Sequence, residues 1–473
     1  MIQGAEKFRR FLERHPHPHH PFFERPLWSR RQFFRLAGAG VTGAWIAKPL
    51  LAGDVEVKAQ VKPVNRAKQV IFIFLTGAPS HIDTFDLKEV PGVTPTDFQP
   101  TTINNLRWPV GLMPKLAERL GDIAIVRSVR AWALVHSLAQ TWAQIGRNPT
   151  SALGAVAPNI GSIIALEKEP DRRPDQVLPA FLALNSAQAI GSGYLSAQFA
   201  PFKYSPVPTG LPNTTNPDGE ARSNERWQLL NALDGNLRLN SPLGRPPEDL
   251  HRFYLSARNL MYNPVVDQAF RIPPQDAARY GDGQNATGIG TACLIAKQVI
   301  AARQGTRFIQ ITLGGWDMHQ DIYDRRANPR GNLYVLAAQL DSALAALITD
   351  LKAAGLWDET LIVMMGEFGR TVGPLTPDDG RDHYLQQFCV FAGAGVKGGR
   401  AIGSTDASGG QTAEYGWSRE RDVRIEDIEA TIYSAMGINW TTVRYDDPFG
   451  RGFEYVPYAG EDLYGPIHEL WRD

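Results

Sequence analysis

Ten histidines occur in this 473-residue chain, and their spacing is uneven. Four lie in the run His15-Pro-His17-Pro-His19-His20, where alternating prolines exclude a helix. The other six are His81, His136, His251, His319, His383 and His468. Of the four that stand after apolar runs or at a helix start, His81, His136, His319 and His383, three have a carboxylate within two positions: His81 with Asp83, His319 with Asp317, and His383 with Asp382. Glu367 adds a carboxylate directly after an apolar run, where a charge is costly unless it is paired or bound to metal. Neutral imidazoles and carboxylates together suit a borderline divalent ion. The expected ligands are His81, Asp83, Asp317, His319, Glu367 and His383, holding one or two ions of zinc, manganese or calcium. The competing reading has the carboxylates capping loops and the imidazoles satisfied by backbone.

The elements that must position these groups are legible from apolar patterning. Val70-Ile-Phe-Ile-Phe-Leu75 is an unbroken apolar run, the pattern of a strand buried on both faces, and Ser80, His81, Asp83 and Asp86 follow it. The alternative for those four residues is a turn with an Asx cap. A strand over Phe308–Leu313 ends in Gly-Gly-Trp-Asp317-Met-His319, and a strand over Thr360–Met365 ends in Gly-Glu367-Phe-Gly-Arg370-Thr. Arg381 and His383 precede a strand over Phe388–Ala392. His136 precedes a helix that Ser137 could cap and Gly146 ends, and the N-terminus of such a helix attracts an anion. Leucines at 333, 336, 340, 344, 347 and 351 give the stripe of a long core-facing helix over Asn332–Ala354. Strands alternating with helices imply an α/β fold with a mostly parallel sheet covered on both faces. Ligands of such sheets gather at the carboxyl ends of the strands. Periodicity weakens between about residues 185 and 285, the expected place of an irregular insertion or cap.

Composition narrows the function. Lys plus Arg and Asp plus Glu number 49 each, so no basic excess points to nucleic acid. Two cysteines without metal spacing predict no disulfide framework. Neither a GxGxxG after the first strand nor a GxxxxGK[ST] run is present, so nucleotide binding of those kinds is not indicated. At the N-terminus, Ser29-Arg30-Arg31-Gln-Phe-Phe-Arg precedes a short apolar segment over Leu36–Leu51 and resembles a twin-arginine (Tat) export signal. Residues 1–53 then form the extension and signal, 54–68 a linker, and 69–473 the folded domain. The expected location is periplasmic or extracellular after passage through the Tat translocase. The membrane is met only through the signal segment, and an uncleaved signal would leave the protein anchored.

The runs GAPSHIDTFD, GGWDMH, GEFGRT and GRDHY followed by FAGAGVKGG resemble the motifs of domain-of-unknown-function family 1501, from about Ala67 to Ile438. That family is placed in the alkaline phosphatase-like superfamily with sulfatases and phosphoglycerate mutases. The resemblance implies an α/β/α sandwich with a two-metal site at the strand ends. It makes Asp317 and His319 a ligand pair for one metal and His383 a late ligand. Gly146-Arg147 resembles the segment after a sulfatase nucleophile, which sets His136, with Ser137 adjacent, at the reacting centre. Three departures stand out: Thr76-Gly77 where an Asp is expected, Glu367 for Asp, and Phe368 where a second ligand belongs. Arg370 and Arg381 are expected to bind substrate oxygens bidentately or to sit in structural ion pairs. The implied activity is metal-dependent hydrolysis of a phosphate or sulfate ester, small or on a polysaccharide. The alternatives are group transfer or isomerisation in the same site, or an inactive member serving as an envelope binding or scaffold protein.

Overall fold

The structure, a computed structural model, describes residues 61–472 except 240, 243, 282–287, 329 and 330. Arg30 and Arg31 lie outside the described residues. The centre of the fold is an eight-stranded sheet. In chain order its strands are β1 (Gln69–Leu75), β2 (Ile123–Arg130), β3 (Phe181–Leu184), β4 (Phe202–Tyr204), β5 (Phe308–Leu313), β6 (Thr360–Met365), β7 (Gln386–Gly393) and β8 (Arg400–Ile402). Their spatial order is β8-β2-β7-β6-β1-β5-β3-β4. β1 is central and pairs parallel with β5 and β6. Its seven residues are all buried, as an apolar run flanked on both sides and covered on both faces must be.

The pleat of β1 divides the core in two. Ile71, Ile73 and Leu75 join one apolar cluster, with Leu336, Leu340 and Leu344 of the long helix Leu333–Ala353. Val70, Phe72 and Phe74 join the other, with Ile163 of helix Ile160–Lys168 and Ile428 and Ile432 of helix Ile425–Ala435. The expected three-layer sandwich with a mostly parallel sheet is the architecture found. One strand departs from it: β7 runs antiparallel to both β6 and β2. The connection from β6 to β7 contains no crossover helix, only a ribbon in which Gly369–Arg370 pairs with His383–Tyr384. A chain that turns back without a crossover returns antiparallel. The amino end of β7 therefore reaches the same edge as the carboxyl ends of its neighbours.

Local departures have local causes. The short helix Pro114–Ala117 is capped from across the fold: its first free N–H groups, on Lys115 and Leu116, donate to the Asp341 carboxylate. The helix expected from Ser137 begins one residue earlier at His136, so Ser137 lies inside the first turn and does not cap it. The weakly periodic region carries two short helices, Pro264–Ala269 and Pro274–Arg279, and two long ones, Gly219–Leu239 and Arg245–Leu260. The contact between the long pair is polar and cationic. Arg238 donates to Asp234 and Asn231, lies 3.0 Å from His251 Nδ1, and sits over the Trp227 ring. Leucines at 229, 233 and 237 point outward, Leu233 being 73% exposed. Hydrophobic residues thus face solvent and polar ones face the partner helix, which is why the usual period fails there.

Helix Ile425–Ala435 is buried along its whole length, acids included. Asp427 pairs with Arg421 at 2.7 Å, and Glu426 accepts from the indoles of Trp132 and Trp142. Burial pushes the Glu429 carboxyl up to about 8, against the opposing pull of Arg147 and the Tyr433 hydroxyl. The folded value lies above the unfolded one. The proton on Glu429 therefore favours the fold in full below about pH 4, and that contribution fades as pH rises toward 8. Glu429→Gln, which cannot ionise, is expected to flatten the fall in melting temperature between pH 5 and pH 9. A variant profile parallel to the parent would remove this account.

Candidate metal centre

At the sheet edge formed by the carboxyl ends of β1, β5 and β6, four side chains converge: His136, Asp317, His319 and His383. Each offers one donor atom, and the four atoms lie within 4.8 Å of one another. The meeting point is Asp317 Oδ1. It stands 3.1 Å from His136 Nε2, 3.0 Å from His319 Nε2 and 3.6 Å from His383 Nε2. His319 Nε2 and His383 Nε2 are 3.0 Å apart. Four ligands at the corners of a tetrahedron around an ion bonded at about 2.0–2.1 Å have edges of about 3.3 Å. Four of the six edges, at 3.0–3.6 Å, lie close to that figure, and all six fall within 4.8 Å.

Each imidazole is held from behind through its other nitrogen. His136 Nδ1 meets Glu367 Oε1 at 2.7 Å, His319 Nδ1 meets Asp382 Oδ1 at 2.7 Å, and His383 Nδ1 meets the Leu134 carbonyl oxygen at 2.7 Å. A carbonyl or carboxylate only accepts, so each Nδ1 carries the proton of the neutral ring and each Nε2 presents a lone pair inward. His136 Nε2 is buried with no hydrogen-bond partner, since the Asp317 carboxylate oxygen beside it has no proton to donate to its lone pair. A lone pair aimed at three other donors and bonded to none of them is suited to a cation. The residues present therefore fit a single divalent ion.

The electrostatics agree. Burial raises the Asp317 carboxyl, but the Arg370 guanidinium at 2.5 Å, with His136 and His319, outweighs it and holds the group at about 2. The hydrogen bond that His136 donates to Glu367 raises the His136 pKa, and burial lowers that of His383. Asp317 and His319 are exposed and the other two are half-buried, so the cluster opens to solvent.

The remaining expected site residues stand elsewhere. Glu367 is behind His136, not among the four. Its Oε1 accepts from Gly77 N, His136 Nδ1 and Gln140 Nε2. Its Oε2 faces a cavity of about 20 Å³ walled by Trp132, Trp142 and Met365. Asp83 does not ligate either. It is fully buried in an ion pair with Arg381 at 2.8 Å, completed by Ser80 Oγ at 2.5 Å and Tyr323 Oη at 2.7 Å. That pair corrects two expectations, since Arg381 is equally buried and has no guanidinium face left for substrate. The His81 ring is buried too, with Nε2 2.9 Å from the Gly409 carbonyl oxygen, and burial lowers its pKa. Arg370 is 1% exposed and donates to the carbonyls of Gly77, Ala78 and Arg381 as well as to Asp317, so it braces the site and cannot grip an ester. Arg147 points into the C-terminal segment, over the Phe453 ring at 3.9 Å. Ser137 is exposed beside His136.

The three positions noted as departures in the sequence have visible roles. Gly77 adopts φ +99°, and a Cβ there would meet Asp317 N at 2.5 Å. Only glycine permits that approach, by which the loop after β1 supports the Asp317 backbone. Phe368 is buried, its ring centroid 4.8 Å from that of His136 and 4.6 Å from that of His383. It forms an apolar floor under two imidazoles where a second ligand would otherwise stand. Sequence reasoning left Gln140, Asp382 and the Leu134 carbonyl out of the site. Gln140 was within reach, since it lies one helical turn after His136 on the same face. The Leu134 carbonyl left no signal.

A family model described as protein of unknown function (DUF1501) matches residues 67–461. The chain belongs to that family. No curated protein matches it. Among solved structures, this DUF1501 protein is similar to the lipoteichoic acid synthase LtaP from Listeria monocytogenes, at 11% identity and a TM-score of 0.38, over 85% of this chain and 79% of that one. It is similar to a protein in the alkaline phosphatase superfamily from Vibrio parahaemolyticus, at 10% identity and a TM-score of 0.35, over 80% and 67%. It is also similar to the PsFucS1 sulfatase from Pseudoalteromonas sp., at 14% identity and a TM-score of 0.34, over 83% and 70%.

Proposed function

We infer that this DUF1501 protein is an exported, metal-dependent hydrolase of phosphate or sulfate esters that works with one divalent ion. The observation that carries the reading is the convergence of three inward-facing imidazole Nε2 atoms on Asp317 Oδ1, each ring anchored from behind. His136, Asp317, His319 and His383 would hold the ion, which would supply Lewis-acid polarisation of a phosphoryl or sulfuryl oxygen. Glu367 and Asp382 orient two of the rings and keep their protons on Nδ1. His136 is then a ligand, and Ser137, exposed at the amino end of its helix, is the hydroxyl nearest in sequence to the reacting centre. Free N–H groups of that first turn favour the anionic end of an ester. The substrate class is a small or polysaccharide ester, and export follows the Arg30-Arg31 signal.

Metal analysis of the purified protein, joined to a panel of aryl phosphates and aryl sulfates, tests the reading. About one equivalent of a divalent ion and turnover of at least one ester class are expected. A protein that takes up no zinc, manganese or calcium and leaves every ester intact would sink it. Phe368 under the imidazoles favours a second reading, a non-catalytic envelope binding or scaffold member, because a two-metal site cannot form around a phenyl ring. Under that reading His319→Ala leaves the biological role unchanged.

A further inference from the structure

The opposite edge of the sheet carries a separate cleft. Lys68 and Gln69, where β1 begins, and Thr306 and Arg307, just before β5, line a cavity of about 240 Å³ together with Arg173 and Arg303. These are the amino ends of parallel strands whose carboxyl ends build the metal centre. Seven residues of β1 separate the two edges by roughly 20 Å.

Four of the eleven residues lining this cavity are cationic and none is acidic. In a chain with equal numbers of acidic and basic residues, this local excess is not a product of composition. The neighbouring carboxylates do not cancel it. Glu359 is shared between Lys68 at 2.5 Å and Arg303 at 2.8 Å, and Asp175 is taken by Arg173 at 3.0 Å. Arg307 contacts only a carbonyl, that of Lys68, at 3.5 Å, and no carboxylate is paired with it among the described residues. A fifth cation, Arg172, presses on the cleft wall from behind, where a Cβ at Gly305 would meet its Nη1 at 2.9 Å. Its guanidinium is bound to the carbonyls of Gln176 and Leu178. Burial lowers its pKa, the Glu169 carboxylate opposes that shift, and the charge of Arg307 adds to it. Like charges held close around a cleft, with one guanidinium unpaired, are stabilised by an anion entering between them.

We propose that the cleft lined by Lys68, Arg173, Arg303 and Arg307 binds a phosphate or sulfate oxyanion, free or carried on a small molecule, independently of the metal centre. The volume exceeds that of a lone tetrahedral anion and leaves room for an attached group of monosaccharide size, with the amides of Gln69, Gln176 and Gln304 in the wall.

Calorimetric titration of the full chain with inorganic phosphate and with glucose 6-phosphate, before and after chelation of metal, tests this. One saturable equivalent that survives chelation is expected, weakened by 0.5 M sodium chloride. It should be at least about tenfold weaker in Arg307→Gln and in Arg303→Gln, and unchanged in His319→Ala and after chelation. Arg303 is exposed, so its variant tests the site even if Arg307→Gln fails to fold. Tighter binding of glucose 6-phosphate than of phosphate assigns the cleft to an ester, and equal binding to the free anion. Loss of binding in His319→Ala with retention in Arg307→Gln would place the anion at the metal edge and overturn the proposal, as would the absence of any saturable binding. Esterase failure leaves this test intact, because neither probe has to be turned over.

Discussion

Alanine in place of Asp317 is expected to empty the metal centre, from about one equivalent of bound ion to less than a tenth, and to lower ester hydrolysis at least about a thousandfold. The reason is geometric. Asp317 Oδ1 is the one atom that all three imidazoles approach, and it is the only anionic donor among the four. Without it three neutral nitrogens remain, and Arg370 keeps its bonds to the carbonyls of Gly77, Ala78 and Arg381 but is no longer neutralised. Glu367→Gln should behave differently. Glu367 reaches the centre only through His136, so an amide there disturbs the ring's proton and orientation, and metal affinity should fall about 10–100-fold without vanishing. Metal content at fixed free zinc or manganese reads both variants. Equal losses would mean that Glu367 enters the coordination sphere, and an unaffected Asp317→Ala protein would remove the centre altogether.

Asp83→Ala should act on stability and leave the metal content alone. The Asp83–Arg381 pair is 0% exposed on both sides, and its polar atoms are satisfied by Ser80, Tyr323 and the carbonyls of Thr371 and Gly373. Taking away the carboxylate strands a buried guanidinium, at a cost of about 3–5 kcal/mol in urea unfolding. Replacing both partners with apolar residues of similar volume should recover much of that loss, since no unpaired charge then remains. If Asp83→Ala were instead as stable as the parent but metal-free, Asp83 would be a ligand and the buried pair incidental. The pair closes a long loop, tying the segment after β1 to the segment before β7.

Much of the scaffold was open to reading. The strand at Phe308–Leu313 alternates apolar residues with Gln310 and Thr312, that at Thr360–Met365 is apolar after its first residue, and the observed limits of both coincide with those expected. The long leucine-striped helix was equally plain. Elements whose stability comes from burying their own side chains announce themselves in composition. The two long insertion helices did not, because Trp227 and Arg238 face the partner helix and leucines face outward.

By itself, then, the sequence determined that polar, metal-competent groups would follow buried strands and would gather at one edge of a parallel sheet. It could not decide which of them meet. His81 and Asp83 satisfy the same rule of position as Asp317 and His319, yet a single residue type distant in the chain, Arg381, claims Asp83. Likewise the antiparallel return of β7 brings His383 to the cluster, and Phe368 closes the place of a second ion. Those outcomes depend on pairings across hundreds of residues, where a buried charge takes whichever partner the tertiary fold sets against it. Local spacing carries no record of that choice.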